Sequence, residues 1–200
     1  MKSDDIIDKI TRGEDIYLKR ITIIGDLIIG PLAEKEGQHI FPQKIASNMA
    51  FISCNFEGKV KIQNLIFEKK VKFTGSRFKE DVIFSPNSPE FLAEIDFSHA
   101  IFYKSADFCG VKFQNELNIF SAAFYNSVDF HGAEFGNIDA KYALFSDKID
   151  FQDCRFIGPA DFTGALFYEK ADFGGSEFSE RVELGSTFED NAGFSNVLFT

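Results

Sequence analysis

Asp107, Cys109, Asp129 and His131 are the side chains in this sequence whose types and spacing come nearest to chemistry. Each half reads Asp-Phe-X, and the two halves lie 22 residues apart. A thiol, an imidazole and two carboxylates make a donor set for a transition metal. Alternatively, His131 would act as the base that activates Cys109 as a nucleophile. Either chemistry needs a third orienting group and a pocket that excludes water, and the sequence offers neither. His39 and His99 lie elsewhere, and no Ser/His/Asp set, paired-cysteine motif or phosphate-cradling glycine loop occurs. The metal or thiol site at Cys109/His131 is therefore a remote alternative, and the expectation is no catalytic residue, no metal and no cofactor.

What would bring those four residues together is a beat of apolar residues at alternating spacings of five and six. It reads Phe51, Phe56, Ile62, Phe67, Phe73, Phe78, Phe84, resumes at Phe97, Phe102, Phe108, Phe113, Ile119, Phe124, Phe130, Phe135, and continues from Phe151 to Phe199. Of the 26 phenylalanines, only Phe41 and Phe120 stand off it. The period fits neither a helix nor a plain strand. It fits a solenoid, whose units bury their apolar side only by stacking on one another. The residue two before each beat position is small or aliphatic, so it shares the inward side of an extended backbone. Glycine recurs two after it (Gly58, Gly75, Gly110, Gly132, Gly158, Gly164, Gly175), where a corner benefits from freedom in φ.

The runs Ala-Asp-Phe-Cys-Gly (106–110), Ala-Asp-Phe-Thr-Gly (160–164) and Ala-Asp-Phe-Gly-Gly (171–175) resemble the pentapeptide repeat, Ala-Asp/Asn-Leu/Phe-X-X. The resemblance spans roughly residues 16–200. It implies an all-β, right-handed quadrilateral β-helix with four short faces per coil. The extra residue in every second unit sets about 22 residues per coil.

Residues 1–200 are thus expected to form one β-helix domain. Residues 1–15 supply a short capping helix, with Ser3 as N-cap, Asp4 and Asp5 in the first turn and Ile6, Ile7 and Ile10 on one face. Leu18, Ile23 and Ile29 keep the beat; residues 30–48, with Pro31 and Pro42, break it and read as a loop or insertion before the regular coils of 49–200. Residues 85–96 carry two extra residues, and one residue is missing around Ala140. At Thr200 the beat is still running, which implies either more chain or a homodimer through the C-terminal coil, the mode several relatives use.

The lack of an 18-residue apolar run or a signal-peptide core argues against a membrane span or export. Three isolated cysteines fit a reducing cytoplasm. Net charge is −10, unevenly placed: residues 1–80 hold 14 Lys/Arg and 11 Asp/Glu, residues 81–200 hold 7 and 20. Direct nucleic-acid binding is not expected of the acidic half.

On a 22-residue register, Asp107, Asp129, Asp150 and Asp172 stack on one face, and Asp96, Asn118, Asp139, Asp161 and Glu183 on the opposite one. Such rows are either corner-supporting residues of the repeat or an anionic surface for a partner. Residues 81–200 would carry a charge per about 2 Å of rod, against one per about 1.7 Å in duplex DNA. Some proteins with this repeat mimic DNA and bind DNA gyrase, so the resemblance implies gyrase as an alternative partner. Tyr103, Tyr125 and Tyr168 form a further stack, either a stabilising ladder or a contact surface, with Phe120 on the neighbouring face. The sequence therefore points to a non-catalytic binding or scaffold protein with an extended, partly acidic surface for a protein partner.

Overall fold

The computed structural model describes residues 1–30, 42–85 and 87–200. It is an all-β parallel solenoid with one short helix at its N-terminal end. Strands of two to seven residues follow one another around four faces and pair in parallel from coil to coil, 33 residues apart where Ile16–Lys19, Thr22–Ile23 and Leu27–Ile29 meet the next coil and 21–24 apart beyond it. The first face begins at Ile16–Lys19, the second at Thr22–Ile23, the third at Leu27–Ile29 and the fourth at Gln43–Ile45. The second and third faces each stack eight strands. The first and fourth join into one sheet because Lys112–Asn118 and Glu134–Asp139 run through the corner between them.

The beat residues fill the interior. On the second face Phe102 stacks on Phe78 and Phe124 at centroid distances of 4.7 and 4.4 Å, and on the fourth Phe156 stacks on Phe135 and Phe178 at 4.8 and 4.3 Å. Parallel strands lie about 4.8 Å apart, which is the separation offset-stacked rings prefer. One spacing therefore satisfies both the backbone ladder and the aromatic columns. Adjacent columns meet edge to face, as between Phe130 and Phe135 at 5.5 Å.

The alternation of five and six has a backbone cause. Five-residue steps turn through a β-turn whose third residue has positive φ: Ala100 N donates to Phe97 O across His99, and Ala133 N to Phe130 O across Gly132. That is the type II pattern, which favours glycine. Six-residue steps turn with an extra residue and, apart from Gly25 in the first coil, no left-handed backbone among the described residues. Gly58 and Gly158 sit at such corners, and neither has positive φ. They are glycine for lack of space: a Cβ at Gly158 would overlap the carbonyl oxygen of Gly136, and one at Gly58 the backbone of Gly25.

Irregularities fall at corners. The two extra residues lie between Phe84 and Glu90. The missing residue lies at Gly136, where one residue spans what Gln114 and Asn115 span below it, rather than around Ala140, which keeps its inward slot. A second deletion, at Gly185, escapes the sequence reading because Leu184 and Phe188 still look like beat residues. Gln43–Ile45, expected within a loop, is a regular strand paired with Leu65–Phe67; the rest of that expected insertion, 31–41, lies outside the described residues.

The helix Ser3–Thr11 has Lys2, not Ser3, at its N-cap. Ser3 is buried one position further in, its N–H bonded to Ile24 O. Ile6 and Ile10 are buried against the first rung and Ile7 packs beside them. At the other end Phe199 is 65% exposed.

Replacing Phe130, stacked between Phe108 and Phe151 at 5.0 and 5.1 Å, with Ala is expected to cost about 3–5 kcal/mol. Phe199→Ala is expected to cost under about 1 kcal/mol, since little of that ring leaves water. Urea denaturation of both variants checks this, and equal losses would contradict the stacked-core account.

Candidate functional site

The carboxylates of both rows come from the position just before a beat residue, and the structure shows their local purpose. In the aspartates, Oδ1 accepts the backbone N–H two residues on: Asp107 from Cys109 at 3.0 Å, Asp129 from His131 at 2.8 Å, Asp150 from Gln152 at 2.7 Å and Asp172 from Gly174 at 3.0 Å. Asp96, Asp139 and Asp161 do the same on the first face. Asn118 makes the bond with a neutral amide. These are side-chain turns that hold the corner, and they need an oxygen, not a charge.

The second carboxylate oxygen separates the two rows. On the first face it is neutralised or buried. Lys141 bridges Asp139 and Asp161 at 2.9 and 3.5 Å, Arg181 pairs with Glu183, and Asp161 is held below its usual range, with the Thr163 hydroxyl and N–H and Lys141 outweighing its partial burial. Asp96 does not reach the surface at all: it is 6% exposed and accepts a bond from Thr74. On the third face only Asp172 has a cation, Lys170 at 2.6 Å. Asp107 accepts from the Ser85 hydroxyl and Asp150 from the Gln152 amide; no cation pairs with Asp107, Asp129 or Asp150 among the described residues. Burial pushes the Asp129 carboxyl up, and the neighbouring Asp150 and Asp107 push it further.

These four carboxylates border a shallow groove of about 420 Å³ along the third face. Its floor is Ala106, Val128 and Ile149, and Ser105, Ser127 and Lys148 line its rim. Cys109 and His131 stand at adjacent rungs of the same face, as the spacing required. Their chemistry is not assembled: no group of three or more metal-ligating side chains is set to hold an ion among the described residues. Burial and the three aspartates raise the Cys109 thiol, the opposite of what a nucleophilic thiolate needs. Cys54 and Cys154 are buried, their backbone N–H groups donating to Ser76 and Ser176 of the next rung.

Tyr103 and Tyr125 meet at 5.8 Å along the edge of the second face, and Tyr168 lies in the same row two rungs beyond Tyr125. Phe120 is half-buried between His99 and Tyr142, at 5.4 and 5.7 Å. The sequence reading missed the outward row these aromatics flank: Ile101, Ala123, Leu144 and Leu166 occupy the position that carries a charged or amide residue on every other face of those rungs. The signal was present in the same column that holds aspartate on the first and third faces.

The rungs, corner turns and inward aromatics define a repeat scaffold. Residues 119–163 and 140–186 match the family model for pentapeptide repeats, with 9 copies. The same turns and rungs continue on both sides of that segment. No curated protein matches it. Among solved structures it is similar to HetL, a pentapeptide repeat protein involved in heterocyst differentiation regulation from the cyanobacterium Nostoc. The identity is 12% over 98% of this chain and 94% of that one, with a TM-score of 0.24. No helix among the described residues is long and apolar enough to cross a membrane.

Asp129→Asn should keep the corner bond, as Asn118 does, and remove the repulsion. A raised native pKa means the folded state takes up a proton more readily than the unfolded one, so the charge at Asp129 opposes folding at neutral pH. The variant is expected to melt higher than the parent at pH 7. That advantage should vanish as pH falls through the native pKa of Asp129. Thermal melts across the acid range check it; a lower melting temperature at pH 7 would contradict the reading.

Proposed function

We propose that this protein is a non-catalytic binding scaffold that offers the third face to a protein partner carrying basic groups. One observation carries the reading: Lys141 and Arg181 neutralise Asp139, Asp161 and Glu183 on the first face, whereas Asp107, Asp129 and Asp150 beside the groove are in no ion pair among the described residues. An acidic face left unpaired over three rungs gains attraction for a basic partner and raises the rate of encounter. The test is affinity capture on the native rod beside Asp107→Asn/Asp129→Asn/Asp150→Asn, which keeps the turn oxygens. A partner held by the native rod, weakened by salt and lost from the triple variant is expected. An identical set of partners on both would overturn the reading.

The second reading is a DNA-mimicking regulator of a topoisomerase such as gyrase. The net charge of the last 120 residues, 20 acidic against 7 basic side chains, favours it; the ion pairs of the first face reduce the field it relies on. A gyrase supercoiling assay decides. Inhibition at about micromolar protein, lost in the triple variant, would place mimicry first, and none at tens of micromolar would remove it.

A further inference from the structure

On the second face the outward positions read Thr22, Asn55, Arg77, Ile101, Ala123, Leu144, Leu166 and Thr187 from one end to the other. Four adjacent rungs are apolar and both flanks are polar. In those rungs the same position is acidic or amide on the first and third faces, and charged on the fourth. Ile101, Ala123, Leu144 and Leu166 are partly exposed, and Tyr103, Tyr125, Tyr142 and Tyr168 beside them are 42–60% exposed. A cross-strand ladder accounts for Tyr103 touching Tyr125, but not for an uncovered aliphatic row beneath them.

We infer that the second face is a self-association surface, on which a second copy of this chain packs antiparallel about a two-fold axis lying between the rungs of Ala123 and Leu144. Such an axis reverses the order of rungs and leaves position along the strand unchanged. It sets Ala123 opposite the partner's Leu144, Tyr125 opposite the partner's Ser146, and Ser121 opposite the partner's Tyr142. In all three rows a large side chain meets a small one. A two-fold interface must be self-complementary, and these two central rungs are.

Charge points the same way. One rung outside the strip on the N-terminal side stand Arg77 and Lys79, and one rung outside on the C-terminal side stands Glu189. Arg77 and Glu189 form no ion pair among the described residues, and Lys79 pairs with Glu57. The antiparallel arrangement places Lys79, with Arg77 beside it, opposite the partner's Glu189, twice by symmetry. A parallel arrangement would set Arg77 against the partner's Arg77. The acidic third face points sideways in the pair and stays open, so the dimer does not depend on the function proposed for that groove. Six rungs span about 24 Å, and a face is about 15 Å wide. The total area covered is then on the order of 700–1,000 Å², at the small end for specific contacts, which fits a micromolar dimer.

Sedimentation from about 5 to 500 μM brackets that affinity and is expected to show a monomer–dimer equilibrium. Leu144→Glu should weaken it at least about tenfold while circular dichroism keeps the β-rich spectrum. Glu189→Lys should also weaken it, and Lys79→Glu/Glu189→Lys should restore it. A monomer at every concentration would overturn the inference. So would a dimer indifferent to Leu144→Glu, which would place the contact on another surface such as the terminal coil, or a charge exchange without recovery, which would exclude the antiparallel pairing.

Discussion

Parallel rungs about 4.8 Å apart impose one rule on the whole molecule: whatever stands at a given position stands on its own kind in the rung below. Inside, that rule is favourable, because flat rings at this separation stack and the columns lock against one another edge to face. Outside it is costly wherever the repeated residue is charged. The acidic rows persist because the oxygen is needed for the corner turn, and the sheet must then live with the charge that comes with it. Asn118 shows that the turn is satisfied without one.

Each face resolves that cost differently. The first face covers its carboxylates with Lys141, Arg181 and burial, and the fourth alternates sign so that Lys112 and Arg155 both hold Glu134. The second abandons charge across four rungs. The third leaves three carboxylates outside any ion pair among the described residues and pushes up the pKa of Asp129, which lies between the other two. A structural row and a binding row look identical in sequence, since both are aspartate before phenylalanine; the distinction lies in what the second oxygen touches.

That is also where legibility ended. Inward residues were readable one by one, since Phe and a small partner two positions earlier leave no other way to bury the chain. Corners were readable only in part. Glycine at 110, 132 and 164 signals a left-handed turn, yet His99, Ser121 and Tyr142 do the same turn without glycine, and Gly58 and Gly158 serve tight contacts instead. The one-residue deletions were misplaced or missed because the apolar neighbours keep a plausible spacing across them. The pairing of Lys141 with two aspartates 22 residues apart needed the side-chain directions that only the fold supplies.

The irregular coils have a consequence for how such a chain can change. Eleven extra residues between Ile29 and Gln43, two near Pro86 and one too few at Gly136 leave the strands on either side in register. Length is thus fixed along a face and free at a corner. An insertion or deletion at a corner displaces nothing beyond its own turn, whereas one within a strand would rotate every later side chain to the wrong side. The rod behaves as a fixed lattice hung on adjustable hinges, and new surface can be added at the hinges while the aromatic columns stay as they are.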